Sequence, residues 1–164
     1  MWKLVTHQLD NARTLARSDK RRPREASLRR AVSTAYYAQF QALCETCART
    51  LVGPDAPWEI FTPIFRSLEH RHVAQAFKQK PLIGTPDLIT IGNAFNELQA
   101  TCEWADYSPE PRPNFDAAKN RSPFVRSEAL LLIDTAEKAI QILDRLDDET
   151  RMRLVTRLVT KSRR

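Results

Sequence analysis

Two arginines, a serine and two tyrosines fall within one short stretch, SLRRAVSTAYYAQFQAL, at residues 27–43. Arg29, Arg30, Ser33, Tyr36 and Tyr37 combine fixed positive charge with hydroxyls that can donate and accept, and are candidates for ordered contacts in a buried polar site. Asp106 and Tyr107 stand just before a proline-rich stretch, and the Asp106 carboxylate is expected to pair with Arg29 or Arg30 across the fold and fix its register. Breaking such a pair, if buried, costs about 3–5 kcal/mol, because the remaining charge is left uncompensated.

Other chemistry is largely excluded. Cys44-x-x-Cys47 has a metal-like or redox-like spacing, but a zinc site needs two further ligands and thioredoxin-like chemistry needs a preceding strand, whereas both thiols fall on a helical stripe. No metal and no cofactor is expected. Gly53, Gly84 and Gly92 stand alone, so there is no phosphate-binding loop, and neither a serine-nucleophile elbow nor an H-E-x-x-H zinc helix occurs. Trp58, Phe61, Trp104 and Tyr107 lie near expected loop boundaries and could stack nucleobases, although packing is the plainer role for each. His7 is isolated on the first expected helix.

Charge is unevenly distributed. The net charge is +6, yet residues 13–30 alone carry +6 and residues 151–164 another +6, so the remainder is acidic. Lys20, Arg21, Arg22 and Arg24 in the first segment, with Arg157 and Lys161 in the second, are the candidate contacts for RNA or another polyanion. A solvated basic face and a basic tail are the alternative. No apolar run is long enough to span a membrane, and three cysteines do not make a disulfide framework, so a cytoplasmic protein is expected.

The elements that must hold these residues are helical. At 164 residues and 42% apolar content the chain suits a single core. Helices are expected over 2–18, 25–51, 62–78 and from Thr85-Pro86 onward, then one after Ser122-Pro123 and a short one started by Asp147-Asp148-Glu149. The first should turn Leu4, Leu9 (or Gln8), Ala12 and Leu15 (or Ala16) inward. The second carries Val32, Tyr36, Phe40 (or Leu43), Cys47 and Leu51 on one stripe and Ala31, Ala35, Ala38 and Ala42 on another. Two buried faces, one of small residues, place it in the middle of a bundle. Leu88, Ile91, Phe95, Leu98, Cys102 and Ala105 make the clearest core stripe, and Leu132, Ala136, Ile140 and Leu143 another. Residues 107–122 should form a loop. The expectation is an all-α antiparallel bundle of five or six helices, with residues 1–150 as the bundle and 151–164 as a short basic helix or tail.

The run R-R-A-V-S-T-A-Y-Y-A-x-F resembles the long second helix of HEPN-like bundle proteins. Two further segments are similar in the same order: Phe65-Arg66-Ser67-Leu68-Glu69-His70, and Leu98-Gln99 followed by Ala105-Asp106-Tyr107 and Pro109. This resemblance implies a homodimer and, for many members, a metal-independent ribonuclease built on an arginine followed a few residues later by a histidine. Histidine can move a proton near neutral pH while arginine stabilises charge developing on the phosphate. The related bacterial branch offers that arginine, often followed by histidine, three residues before the alanine of A-D-Y. Here those positions hold Cys102 and Glu103, a neutral thiol and an acid. Arg66 with His72, or with His70, is the substitute pair, on a different helix; a polar face with Glu69, Arg66 and Arg71 in local ion pairs is the plainer alternative. The resemblance thus implies an RNA- or nucleic-acid-associated module of a prokaryotic stress or defence system of toxin–antitoxin type, with the ribonuclease motif degenerate. Alternatives are a noncatalytic interaction subunit, docking an acidic or nucleotidyltransferase-type partner, and an endoribonuclease using Arg66 and His72.

Overall fold

The computed structural model of the chain describes residues 2–18, 24–79, 82, 85–108 and 124–160. Among them are seven helices and no strand: α1 (Lys3–Arg17), α2 (Glu25–Val52), α3 (Trp58–Phe65), α4 (His70–Ala76), α5 (Pro86–Tyr107), α6 (Arg126–Asp144) and α7 (Asp148–Val159). No helix among the described residues is long and apolar enough to cross a membrane.

Helix α2 is the axis. Its 28 residues span about 42 Å, and α1, α3, α5, α6 and α7 all pack on it. Ala31, Ala35, Ala38 and Ala42 are fully buried, as the small-residue face requires, and Val32, Tyr36, Leu43 and Cys47 are buried on the other stripe. Leu43, not the half-buried Phe40, takes the deep position, and Leu51 is exposed. In α1 the inward set is Val5, Leu9, Ala12 and Ala16, while Leu4 is exposed. Leu4 is five residues from Leu9, too far for neighbouring positions on one helical face, whereas Val5 is four residues from it and takes the inward place.

Helices α5 and α6 follow their stripes: Leu88, Ile91, Phe95, Leu98, Cys102 and Ala105 are buried, as are Leu132, Ala136, Ile140 and Leu143. Contacts between α2 and α5 run in opposite chain directions, with Ser33 meeting Asp106 and Gln39 meeting the Ile91 carbonyl. The α1 and α6 contacts do the same: Arg13 reaches Glu137 and Arg126 reaches the Ala16 carbonyl. Thr85 precedes α5 with Pro86 in the first turn, as expected. The Asp147 carboxylate accepts from the Thr150 amide at 2.8 Å and caps α7. Helix α6 starts later than expected, with the Glu128 carboxylate accepting from the Val125 amide at 3.1 Å; Ser122 and Pro123 lie outside the described residues. The basic segment from Arg151 belongs to α7, and its Leu154, Val155 and Leu158 are buried in the common core.

The region 58–78 departs most from expectation, and it raises the helix count from five or six to seven. Pro63 does not start a helix; it lies inside α3, which begins at Trp58 and ends two residues after the proline. A proline removes one amide donor and crowds the preceding turn, so the helix stops soon afterwards. Residues 67–69 then separate α3 from α4. The later end of this region is pinned by Phe77, which lies against Gly92 of α5: a Cβ added at Gly92 would sit 2.7–2.8 Å from Phe77 Cδ1, Cβ and Cγ.

That approach generates a prediction. Alanine is the better helix former by about 1 kcal/mol, but overpacking costs about 1–3 kcal/mol, and the Phe77 Cβ cannot swing away as a flexible tip could. Gly92→Ala should therefore lower stability in urea denaturation; a more stable variant would show that Phe77 is not held there.

Candidate functional site

Three helices bring the chemistry-bearing residues together: α2 supplies Ser33, Tyr36, Tyr37 and Phe40, α4 supplies His70, and α5 supplies Cys102 and Asp106. At one end of this region the Ser33 hydroxyl lies 2.6 Å from Asp106 Oδ1 and 3.2 Å from the Arg29 carbonyl. One hydroxyl carries one proton, and the shorter, charge-assisted bond to the carboxylate is the stronger use of it. The Cys102 thiol donates to Asp106 Oδ2 at 3.4 Å. Burial pushes that thiol up to about 12, the neighbouring Asp106 charge works in the same direction, and the Ser33 hydrogen bond opposes both. The thiol therefore stays protonated near neutral pH and serves as a weak donor, not as a nucleophile.

Arg29 does not take the Asp106 carboxylate. Its guanidinium pairs with Glu25 one turn earlier, at 2.7 Å, and donates to the Ser108 and Ala105 carbonyls at the end of α5. It also lies 4.4 Å from the centre of the Trp104 ring, which meets Phe124 edge-on. Thus Arg29 caps the α5 C-terminus, where orphan carbonyls and the helix dipole favour a cation, and Trp104 is packed. The expected Arg29 or Arg30 pairing with Asp106 is replaced by the Ser33 bond. Asp106 is exposed, so the large cost of a buried uncompensated charge does not apply to it.

The second cluster centres on His70, the first residue of α4. Tyr36 Oη lies 2.6 Å from His70 Nδ1, the Phe40 ring stacks on the imidazole at 3.8 Å, and Tyr37 meets it edge-on at 5.9 Å. Burial lowers the His70 pKa and raises that of the Tyr36 phenol. A neutral imidazole beside a protonated phenol suits a bond in which Tyr36 donates to Nδ1, leaving the ring proton on Nε2.

The remaining candidates are scattered. Arg66 is the exposed residue that ends α3, and no hydrogen bond or ion pair joins its side chain to His70 or His72 among the described residues. His72 Nε2 is buried without a hydrogen-bond partner among the described residues. Arg30 and Tyr107 are exposed beside the Asp106 cluster. Lys20, Arg21, Arg22 and Lys161 lie outside the described residues, and Arg24 is exposed at the start of α2. Several other basic groups have local partners: Arg13 pairs with Glu137 and Asp134 of α6, Arg151 with Asp148, Arg153 with Glu149, and Arg157 with Gln79. Cys44 and Cys47 are free buried thiols, each pushed up to about 12 by burial. Cys102 as a partner of Asp106, Glu25 as the partner of Arg29 and Phe40 as the stacking surface for His70 were not foreseen. The first two had a visible signal, a spacing of four residues on one helix face.

The class of protein defined here is an all-α helical bundle. No family model matches the chain, and no curated protein or solved structure gives a significant match.

Two predictions follow from the clusters. Ser33→Ala removes the bond that ties α2 to the end of α5 and should cost about 1 kcal/mol in chemical denaturation, whereas Asp106→Asn, which retains an acceptor for Ser33, should cost less. A loss of 3 kcal/mol or more in Asp106→Asn, on the scale of a broken buried pair, would contradict this assignment. For His70 the folded pKa lies below the ordinary value of 6.5. Its contribution to stability is complete above about pH 6.5 and declines as pH falls toward the folded value, because the unfolded state binds the proton first. The melting temperature should accordingly fall less steeply below that pH in His70→Phe than in the wild type.

Proposed function

We propose that this chain is a HEPN-like, nucleic-acid-associated module that binds without cleaving. The carrying observation is the Ser33–Asp106–Cys102 cluster. Cys102 occupies the position at which the resembled branch offers its arginine, and its thiol, held neutral by burial, is committed to Asp106. A phosphodiester held there would meet a carboxylate, two neutral donors and the nearby Glu103, with no imidazole bonded into the cluster to transfer the proton; of the neighbouring guanidiniums, Arg29 is engaged by Glu25 and the carbonyls that end α5, and Arg30 makes no hydrogen bond to the cluster among the described residues. The substitute pair lacks support for the same work: Arg66 has no bond to either histidine, His70 Nδ1 is occupied by Tyr36, and His72 Nε2 is shielded from solvent.

Binding draws on the outer charge. An exposed ion pair such as that of Arg153 with Glu149 is worth only about 0–1 kcal/mol, so a polyphosphate backbone can compete for such a guanidinium at little cost. Such binding is electrostatic and weakens as salt rises. A homodimer in a prokaryotic defence or stress setting is the context that the resemblance implies; docking of an acidic or nucleotidyltransferase-type partner belongs to the alternative reading as an interaction subunit.

The test is incubation of the purified protein with single-stranded and structured RNA in EDTA, beside folded Arg66→Ala and His72→Ala variants. Retained RNA with salt-sensitive binding is expected. Cleavage by the wild type that both variants lose would overturn the noncatalytic reading and install Arg66 and His72 as a ribonuclease pair.

A further inference from the structure

A cavity of about 580 Å³ opens between the start of α1, the end of α2 and α3, and no residue of the Asp106 or His70 cluster lines it. Its size is in the range of small-molecule sites. Trp2, Trp58, Phe61 and Phe65 contribute four aromatic rings to its wall. Trp58 meets Phe61 edge-on at 5.4 Å, and Phe61 and Phe65 stack at 6.0 Å. Trp58 nonetheless remains 74% exposed. The core does not need that indole, and a large exposed aromatic at a concave surface is a mark of binding.

The charged groups at the cavity are unequally committed. Arg49 is paired with Glu45 at 2.8 Å and lies over the Trp2 ring at 5.8 Å, so this cation and this carboxylate neutralise one another. Arg66 and Asp55 have no ion-pair partner among the described residues. They flank opposite ends of the eight-residue α3, which is about 12 Å long, so Asp55 opposes an anion at Arg66 only weakly. The cavity therefore presents aromatic walls and, at one end, a guanidinium free to make two parallel bonds to a carboxylate. We infer that it is a binding site for a small aromatic carboxylate, whose ring lies against the tryptophan and phenylalanine walls and whose carboxylate is held by Arg66. This gives Arg66 a role separate from the histidines and independent of how the protein treats RNA.

Calorimetric titration of the full chain with 2-naphthoate and with its neutral analogue 2-naphthamide tests the assignment. Arg66 and Trp58 are exposed, so Arg66→Ala and Trp58→Ala should fold. Saturable 2-naphthoate binding is expected, weakened about tenfold or more in Arg66→Ala, while 2-naphthamide binds the wild type and Arg66→Ala alike and Trp58→Ala weakens both ligands. No saturable binding of 2-naphthoate, equal binding by wild type and Arg66→Ala, or parallel loss of both ligands in Arg66→Ala would each overturn it.

Discussion

Burial of α2 on several faces is the constraint on which the rest of the structure depends. Five helices reach this one helix, and its fully buried alanines let backbones approach closely. Such a helix has little surface on which to carry polar side chains without cost, since an unsatisfied buried donor or acceptor costs about 1–3 kcal/mol. Ser33, Tyr36, Gln39 and Thr46 are nevertheless buried on it. Ser33 meets Asp106 of α5, Tyr36 meets His70 of α4, the Gln39 amide donates to the Ile91 carbonyl of α5, and Thr46 turns back to the Ala42 carbonyl of its own helix. Three of the four partners come from other helices. The polar groups of α2 thereby specify where α4 and the two ends of α5 must dock, which apolar packing alone specifies less sharply.

The same burial decides the chemical state of the groups. The Tyr36 phenol and the three cysteine thiols are pushed upward and His70 downward. Each shift favours the neutral form, because a low-dielectric surrounding penalises charge. The interior of this bundle consequently holds donors and acceptors rather than cations and nucleophiles. Fixed charge is kept outside, where Arg13 joins α1 to α6 and Arg29 closes the end of α5.

Region 58–78 has a different character. A proline in its first helix, a break at residues 67–69 and a short second helix leave Trp58 and Arg66 facing outward while Phe77 is driven against Gly92. The region is thus anchored at its later end and open at its earlier one. Its aromatic residues are divided accordingly between the core and the cavity beside α2.

Much of the helical frame was legible from the chain alone. The stripes of α5 and α6, the two-faced burial of α2, and the starts at Thr85-Pro86 and Asp147 rest on periodicity and capping, which act within a few residues. Local information does not rotate a helix about its axis, so a stripe through Leu4 and Gln8 and one through Val5 and Leu9 could not be told apart until α1 met α2 and α6. Nor does it say whether a proline begins a helix or sits inside one, as Pro63 does. The candidate polar residues of α2 were identifiable by type, but their partners were not: Asp106 found Ser33 instead of an arginine, and Arg66 found a cavity instead of a histidine. Side-chain type, helical periodicity and capping are properties of neighbouring residues and are settled by the sequence itself. Which carboxylate, ring or guanidinium meets which partner depends on how helices tens of residues apart cross, and only the tertiary packing decides that.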